Sequence, residues 1–222
     1  MRFGQVLLQI QRKVPIPDDP AIGDAYGGGY YFGKINIDGL LYWLVVAEKS
    51  TESRMTVRSL ATGTTGTDST YNGMANTQAM TPDSAYAAAA YCRTYVDPAG
   101  NQDYYLASGY EMEILYRALK PTTGNNTTTQ NSFNPNPYGS PSGPTYTATN
   151  PAQTAVSLFV GTGLTKQTLF NDGTARFWTS TQSPADATRN FTWRTDDGST
   201  TAGSKTASNY VRPIRRILIP GQ

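Results

Sequence analysis

Residues 30–49 have the sequence YYFGKINIDGLLYWLVVAEK, in which two apolar runs flank an Asp-Gly pair. Both runs, 30–37 and 40–49, contain many of the aromatic and β-branched side chains that favour strands. Asp38 and Gly39 readily adopt the positive φ that a two-residue hairpin turn requires. The stretch therefore predicts an antiparallel β-hairpin.

Further strands are predicted in the last third of the chain, at residues 176–181, 190–195 and 210–219. Turn residues at 196–198 and 202–203 lie between them. Because strands occur towards both ends of the sequence and helices between them, we expect an α+β domain whose two ends meet in one antiparallel sheet.

Helix start signals precede two segments in the middle of the chain. Thr81 and the proline after it supply an N-cap and a first-turn residue for a helix over residues 82–93. Ser108 and Glu111 have the spacing of a capping box, and they precede an amphipathic segment that Pro121 ends. The sequence predicts a helix at each of these places.

A third helix of about ten residues is expected from Asn150, because an Asn-Pro pair with a glutamine two residues later resembles a helix start. In this helix Ala155, Val156 and Phe159 are expected to face inward. Residues 122–149 before it consist almost entirely of Asn, Thr, Ser, Gly and Pro. Such a segment buries little apolar surface, so we predict a long surface loop that is ordered only where neighbours hold it.

The sequence divides into a short N-terminal segment and a longer globular part. Residues 1–26 combine an apolar segment with a run of prolines, and we interpret them as an N-terminal arm and linker that docks onto another subunit. Residues 27–222 form the predicted globular domain. The apolar side chains of the arm are Val6, Leu7, Leu8, Ile10 and Val14.

Composition excludes several classes of function. Charged residues are 15% of the chain and the net charge is +2, so neither nucleic acid nor an anionic membrane is an expected partner. The absence of histidine removes Ser-His-Asp chemistry, and the single cysteine, Cys92, excludes an internal disulfide. We expect no cofactor, no metal site and no catalytic residue. No secretion signal is apparent, so we expect synthesis in a cytoplasm and action outside a cell only as part of a particle released by lysis.

Several short segments, read in order, resemble the C-type lectin-like domain found at the C-terminus of collagen-like bacterial adhesins and in phage and prophage virion proteins. They are spread over residues 28–217. The matching segments are GGYYFGKI at 28–35, the strand at 41–49, NGMANT at 72–77, DYYL at 103–106, the helix at 111–121, NPAQTA at 150–155, FWTST at 177–181 and YVRPIRR at 210–216.

This resemblance implies a C-type lectin-like fold in which the strands of Trp178 and Val211 are central. It also implies a role in attachment rather than turnover. Calcium-dependent lectins of this fold use a Glu-Pro-Asn or Gln-Pro-Asp loop and a Trp-Asn-Asp strand, and these triplets do not occur here. Sugar binding through calcium is therefore not expected.

Aromatic side chains are the remaining candidates for ligand contact. The chain has 15 Tyr, 7 Phe and 3 Trp, and loops rich in Tyr, Asn, Ser and Gly are typical of adaptable binding surfaces. Trp43 and Trp178 lie in apolar strands and are expected in the core. Trp193 lies between polar neighbours, and Tyr138 and Tyr146 lie in the long loop. These last three are the predicted ligand-binding residues.

The sequence as a whole predicts a non-enzymatic bacteriophage virion protein, located on the particle as a capsid decoration or tail-associated accessory subunit. Its expected partners are other virion proteins, reached through the arm, and a host surface glycan or protein. A homo-oligomer is expected. The alternatives are a tail-fibre receptor-binding protein, a bacterial adhesin, and a glycan hydrolase that uses two carboxylates.

Overall fold

A computed structural model describes residues 17–169 and 175–222. These ranges contain nine strands, three α-helices and three short 3-10 turns. The strands are β1 (Ala25–Tyr26), β2 (Gly29–Ile37), β3 (Leu40–Val46), β4 (Ser53–Met55), β5 (Arg176–Gln182), β6 (Arg189–Arg194), β7 (Thr200–Ser204), β8 (Asn209–Val211) and β9 (Ile214–Leu218). The helices are α1 (Gly73–Ala79), α2 (Ala87–Thr94) and α3 (Gly109–Leu119), and the 3-10 turns are Lys49–Thr51, Asp83–Ala85 and Ser157–Phe159.

The first sheet is antiparallel and has the strand order β1-β2-β3-β9. The predicted hairpin is confirmed, since β2 pairs with β3 and the turn residues Asp38 and Gly39 have φ values of 53° and 89°. Val45 of β3 lies opposite Arg215 of β9. The predicted meeting of early and late strands in one sheet is therefore also confirmed.

The second sheet has the order β4-β8-β5-β6-β7, so the strands that carry Val211 and Trp178 are internal. All its pairs are antiparallel except β5 with β8, which are parallel where Phe177 meets Tyr210. The result is a mixed α+β architecture with two largely antiparallel sheets, in agreement with the predicted class.

Residues 210–219 form two strands in different sheets rather than the single strand predicted. Arg212 and Pro213 separate β8 from β9. Proline has no N–H to donate, so a ladder cannot continue unchanged through it. The Arg212 guanidinium instead donates to the carbonyl of Ala47 at 2.7 Å and forms a buried ion pair with Glu52 at 3.2 Å.

The turn predicted at Ala202 and Gly203 is wrong, because both residues lie within β7 and pair with β6. A Cβ atom at Gly203 would approach the Trp178 ring to 3.0 Å. The glycine therefore permits close packing of a strand against a large ring, a role that its sequence context does not distinguish from a turn.

Helix α3 begins as predicted. The Ser108 hydroxyl accepts from the Glu111 N–H at 3.4 Å, and the Glu111 carboxylate accepts from the Ser108 N–H at 2.7 Å. Helix α1 was not predicted, although Asn72 caps it by accepting from the Ala75 N–H at 3.1 Å. Asparagine at the start of a short polar segment gives a weak signal, because asparagine is equally common in turns.

The helix predicted over residues 82–93 is interrupted. Residues Asp83–Ala85 form a 3-10 turn and α2 begins at Ala87, because Tyr86 between them has a non-helical backbone. Tyr86 is buried, with its hydroxyl 3.2 Å from that of Thr64. Tertiary packing of this ring therefore overrides the local preference for a continuous helix.

The third helix predicted from Asn150 is wrong, since only the 3-10 turn Ser157–Phe159 forms in this region. The Thr154 N–H donates to the carbonyl of Lys120 at 2.9 Å rather than to a helical partner. Phe159 is buried as expected, whereas Ala155 is exposed and Val156 is half-buried.

The long loop at residues 122–149 is held by buried amides and aromatic rings. Asn126 donates to the carbonyls of Thr147 and Pro151 at 3.0 and 2.9 Å and accepts from the Tyr116 hydroxyl at 2.6 Å. Phe133 and Tyr146 of the loop belong to the main core. Neighbouring groups thus hold the loop in place, as the sequence predicts for a segment of this composition.

Three apolar clusters organise the molecule. The main core lies between the first sheet, α3, the long loop and the inner faces of β5 and β6. A second cluster surrounds Trp178 and α2 and contains the free thiol of Cys92. A third lies on the outer face of the first sheet around Tyr31, Trp43 and Ile219. Trp43 and Trp178 are therefore buried, as predicted.

The predicted arm falls mainly on residues 1–16, which lie outside the described residues. From residue 17 onward the chain contacts the first sheet. Asp19 accepts from the Trp43 indole at 2.9 Å and forms an ion pair with Lys34 at 2.6 Å. Among the helices that the structure describes, none has the length and hydrophobicity needed to span a membrane.

We predict that Asn126→Ala lowers the free energy of unfolding by about 2–4 kcal/mol, because it removes several hydrogen bonds and leaves the buried Tyr116 hydroxyl without its acceptor. Asn125→Ala is the matched control. Asn125 is an exposed neighbour in the same loop, and its replacement should change stability by no more than about 0.5 kcal/mol. Urea unfolding of both variants measures the difference, and equal stabilities would contradict the anchoring role.

Lys205 supplies a pH-dependent prediction. Burial lowers its pKa to about 8 from 10.5, and its ammonium donates to the Gln182 amide oxygen at 2.6 Å and to Thr64 at 3.2 Å. Between these two pKa values the unfolded chain holds a proton that the folded chain has released. This group therefore makes the folded state more stable as pH rises through that window.

The variant Lys205→Met removes this dependence. The free energy of unfolding of the variant minus that of the parent chain should be largest near neutral pH and should decrease as pH rises from 8 towards 10.5. Urea unfolding at several pH values measures this difference. A difference that does not vary with pH would show that Lys205 titrates alike in the folded and unfolded chains.

Candidate functional site

Two of the three predicted ligand-binding residues are buried. Trp193 is 0% exposed and Tyr146 is 4% exposed, so the expectation that they lie on the surface is wrong. Trp193 lies in β6 opposite Phe177, and the alternation of the strand directs its ring into the main core despite its polar neighbours in sequence. Tyr146 packs against Tyr116, and the Arg117 guanidinium lies 4.8 Å from its ring centroid.

Tyr138 is half-buried and packs against the edge of the main core. It stacks on Tyr71 with a centroid distance of 4.3 Å and an interplanar angle of 13°. Tyr110 lies 5.1 Å from Tyr138 at an angle of 49°. We call these three half-buried tyrosines, Tyr71, Tyr110 and Tyr138, the tyrosine surface.

A continuous series of ring contacts connects the tyrosine surface to the buried candidates. Each ring in the series lies between 4.3 and 6.2 Å from the next, measured between centroids. All three predicted residues therefore belong to one aromatic array, of which only one end reaches solvent. The order of the rings is Tyr71, Tyr138, Tyr110, Phe133, Trp193, Tyr116 and Tyr146.

The amide of Asn136 fixes the loop that carries Tyr138. Its nitrogen donates to the carbonyl of Tyr110 at 3.0 Å and to the buried carboxylate of Glu113 at 2.8 Å. Its oxygen accepts from the Tyr138 N–H at 3.0 Å. The Asn36 N–H of β2 donates to the Tyr138 carbonyl at 2.8 Å. The tyrosine surface is thus positioned by a helix, a strand and a loop together.

The hairpin tip contributes a carboxylate to the same surface. Asp38 accepts a long hydrogen bond from the Tyr71 hydroxyl, at 3.3 Å. The negative charge of Asp38 and this hydrogen bond raise the pKa of Tyr71. Burial is the main cause that raises the pKa of Tyr110. Within the described residues the hydroxyls of Tyr110 and Tyr138 make no hydrogen bond.

Arg216 of β9 lies at the border of this surface. Its guanidinium is 4.7 Å from the ring centroid of Tyr42 and donates to the Asn72 side-chain oxygen at 3.0 Å. Asn72 directly precedes α1 and follows Tyr71 in the chain. The surface is consequently bordered by one carboxylate and one guanidinium, and it has no strong net charge.

Among the concave regions formed by the described residues, one adjoins the tyrosine surface and another lies beside the first sheet. The loop after Tyr138 borders a cleft of about 200 Å³, which is also lined by Lys34 of β2 and Arg117 of α3. Each of these cations has an acidic partner, Asp19 and Glu113 respectively, at 2.6 Å. A groove of about 340 Å³ lies beside the glycine turn at residues 27–29.

The carboxylates of α3 have structural roles. Glu111 accepts from the Tyr105 hydroxyl at 2.7 Å and from the Gly73 N–H at 3.2 Å, besides its capping contact. Burial raises the pKa of Glu111, although these hydrogen bonds oppose the increase. Glu113 accepts from Arg117 and from Asn136. In the part of the chain that the structure describes, no group of three or more acidic or cysteine side chains could hold a metal ion.

Sequence reasoning did not identify Tyr71 or Tyr110 as surface residues. Tyr110 follows the Ser108 cap of α3, so its position in the first helical turn could be predicted, but its contact with Tyr138 could not. That contact depends on the Asn136 hydrogen bonds, which join segments distant in sequence.

Comparison of the chain with protein-family models, with curated proteins and with solved structures finds no match.

We predict that Asp38→Asn lowers the pKa of Tyr71, because it removes the negative charge that opposes ionisation of the phenol. The pKa of Tyr110 should stay constant and serves as the internal control, because burial and its neighbours Tyr138 and Glu113 account for its increase. Tyrosine ring signals followed by NMR through an alkaline titration measure both values. An unchanged Tyr71 would contradict the contact at the hairpin tip.

Proposed function

We propose that this chain is a non-enzymatic attachment domain on the outside of a bacteriophage particle, and that the tyrosine surface is its contact face. In this proposal the chain is an accessory virion subunit, either a capsid decoration or a tail-associated protein. Residues 1–16 of the predicted arm join the domain to a neighbouring subunit in this proposal, since residues 17–26 contact the first sheet. The domain presents its loops to a host surface.

The packing of the tyrosine surface is the observation that carries this proposal. Tyr71 and Tyr138 stack, and Tyr110 packs against Tyr138 at a tilt. The backbone around Tyr138 is fixed by hydrogen bonds to Asn136 and Asn36. Tyrosine supplies a large contact area with little side-chain entropy to lose on binding. Preorganised aromatic anchors of this kind contribute strongly to recognition.

The fold offers a second line of support. Both sheets are largely antiparallel, and residues 28–217 contain, in order, the segments that resemble the C-type lectin-like domains of phage proteins. The strands of Trp178 and Val211 are internal, as that resemblance implies. The C-type lectin-like fold is accordingly part of the proposal.

The alternative of a carboxylate-based glycan hydrolase receives no support from the acidic pair on α3. Glu111 and Glu113 are both buried and bound by neighbouring donors, whereas a glycosidase needs two carboxylates that face one substrate bond. A tail-fibre receptor-binding protein or a bacterial adhesin would use the same contact face. These alternatives differ from our proposal only in the structure that carries the domain.

Adsorption measurements test the proposal. The purified chain should bind host cells and compete with intact particles for adsorption, and Tyr138→Ala should weaken competition at least about tenfold, a loss typical of a central aromatic contact. Tyr95→Ala is the matched control. Tyr95 is also half-buried and contacts another tyrosine, Tyr104, which binds the carbonyl of Gly28 at the opposite end of β2.

Two results would count against the proposal. The first is a folded parent chain that neither binds cells nor competes with particles. The second is equal loss of competition in Tyr138→Ala and Tyr95→Ala, which would indicate a general structural effect. Immunogold labelling of particles, with and without residues 2–14, distinguishes a virion subunit from a free adhesin.

A further inference from the structure

The chemistry around the tyrosine surface defines the class of ligand that suits it. We propose that the tyrosine surface binds an uncharged saccharide without calcium, with a sugar ring packed against the tyrosine rings and sugar hydroxyls bound by Asp38 and by the free phenol groups. This inference rests on the attachment function proposed above and specifies its ligand.

The rings provide an apolar face with polar edges. Aromatic rings favour ligands that present C–H groups to the ring and keep polar atoms at its rim. A pyranose has this character, because its axial hydrogens form an apolar patch and its hydroxyls point outward. The stacked pair of Tyr71 and Tyr138, with Tyr110 tilted beside it, offers a fixed surface of matching kind.

Unused hydrogen-bonding groups surround these rings. The hydroxyls of Tyr110 and Tyr138 have no partner within the described residues, and the Oδ2 atom of Asp38 accepts no hydrogen bond there. The remaining oxygen, Oδ1, receives only the long bond from Tyr71 at 3.3 Å. A carboxylate can accept from two vicinal hydroxyls at once, and phenols can donate and accept. A hydroxyl-rich ligand satisfies all of these groups.

The charges beside the surface favour a neutral ligand. Asp38 is an anion at the rim, and it would repel a sulfated or phosphorylated polymer. The guanidinium of Arg216 at the border is already occupied by Asn72 and the ring of Tyr42. Polyanions are bound by clusters of Lys and Arg, and the rings here have no such cluster around them.

The small number of carboxylates at the tyrosine surface does not suit a calcium-dependent sugar site. Asp38 is the only acidic side chain that contacts the tyrosine rings by a hydrogen bond among the described residues. Calcium takes six to eight oxygen ligands, usually with several carboxylates. Stacking and direct hydrogen bonds therefore replace metal coordination in this proposal, and chelators should leave binding unchanged.

Binding of the full chain to a glycan array tests the inference. The array carries uncharged oligosaccharides of hexoses and N-acetylhexosamines, and a sulfated polysaccharide for comparison. We expect binding to at least one uncharged oligosaccharide, unaffected by EDTA. Tyr138→Ala should weaken it at least about tenfold, whereas Tyr138→Phe should weaken it less because the ring remains. Asp38→Asn should also weaken it, and Tyr95→Ala should bind like the parent chain.

Thermal unfolding of each variant identifies any that fails to fold. If Tyr138→Ala does not fold, Tyr138→Phe and Asp38→Asn provide the test, because both substitutions keep the approximate size of the side chain. Absence of binding to every uncharged oligosaccharide would overturn the inference. So would binding of the sulfated polysaccharide alone, or binding that the Tyr138 and Asp38 variants retain.

Cell adsorption measured in parallel separates this inference from the proposed function. Treating host cells with periodate, which cleaves vicinal diols, should reduce adsorption at least about tenfold, and treating them with protease should not. The reverse result would identify a protein receptor, which overturns the saccharide inference but preserves the attachment function. Failure of the chain to bind untreated cells would instead overturn the attachment function.

Discussion

The buried guanidinium of Arg212 connects the two sheets, and much of the architecture depends on it. Arg212 lies between β8 of the second sheet and β9 of the first. It donates to the carbonyls of Ala47 and Gln167 and pairs with Glu52. Burial lowers the pKa of Arg212, and the carboxylate of Glu52 counteracts this effect. Removal of one partner from such a pair typically costs about 3–5 kcal/mol, so the junction is sensitive to any change of either residue.

The long loop at residues 122–149 is held in place in a different way, by buried amide side chains. An apolar sheet forms one side of the main core, but the loop that covers it is rich in Asn, Thr and Pro. Asn126 and Asn136 are buried and use both ends of their amides. Their hydrogen bonds complement the burial of a few rings, such as Phe133, and hold a polar segment in one conformation.

Local signals in the sequence predict the hairpin and α3. The Asp38-Gly39 turn and the Ser108-Glu111 capping box each involve neighbours in the chain, so their structures follow from adjacent residues. The third helix fails because the Thr154 N–H finds the carbonyl of Lys120, a partner that no local pattern reveals. The burial of Trp193 could not be predicted from sequence for a similar reason, because the residues that cover its ring come from segments distant in the chain.

For the candidate site, the abundance of tyrosine and the loop position of Tyr138 allow one of the three surface residues to be predicted from sequence. The other two require tertiary information, because Tyr71 and Tyr110 reach Tyr138 only through the fold. The anchoring of the long loop at Asn126 has a further consequence. Its exposed neighbours Asn125, Thr128 and Thr129 make no side-chain hydrogen bonds within the described residues, so they can be exchanged while the scaffold persists. The exposed surface of the loop can therefore change in sequence at these positions without a new fold.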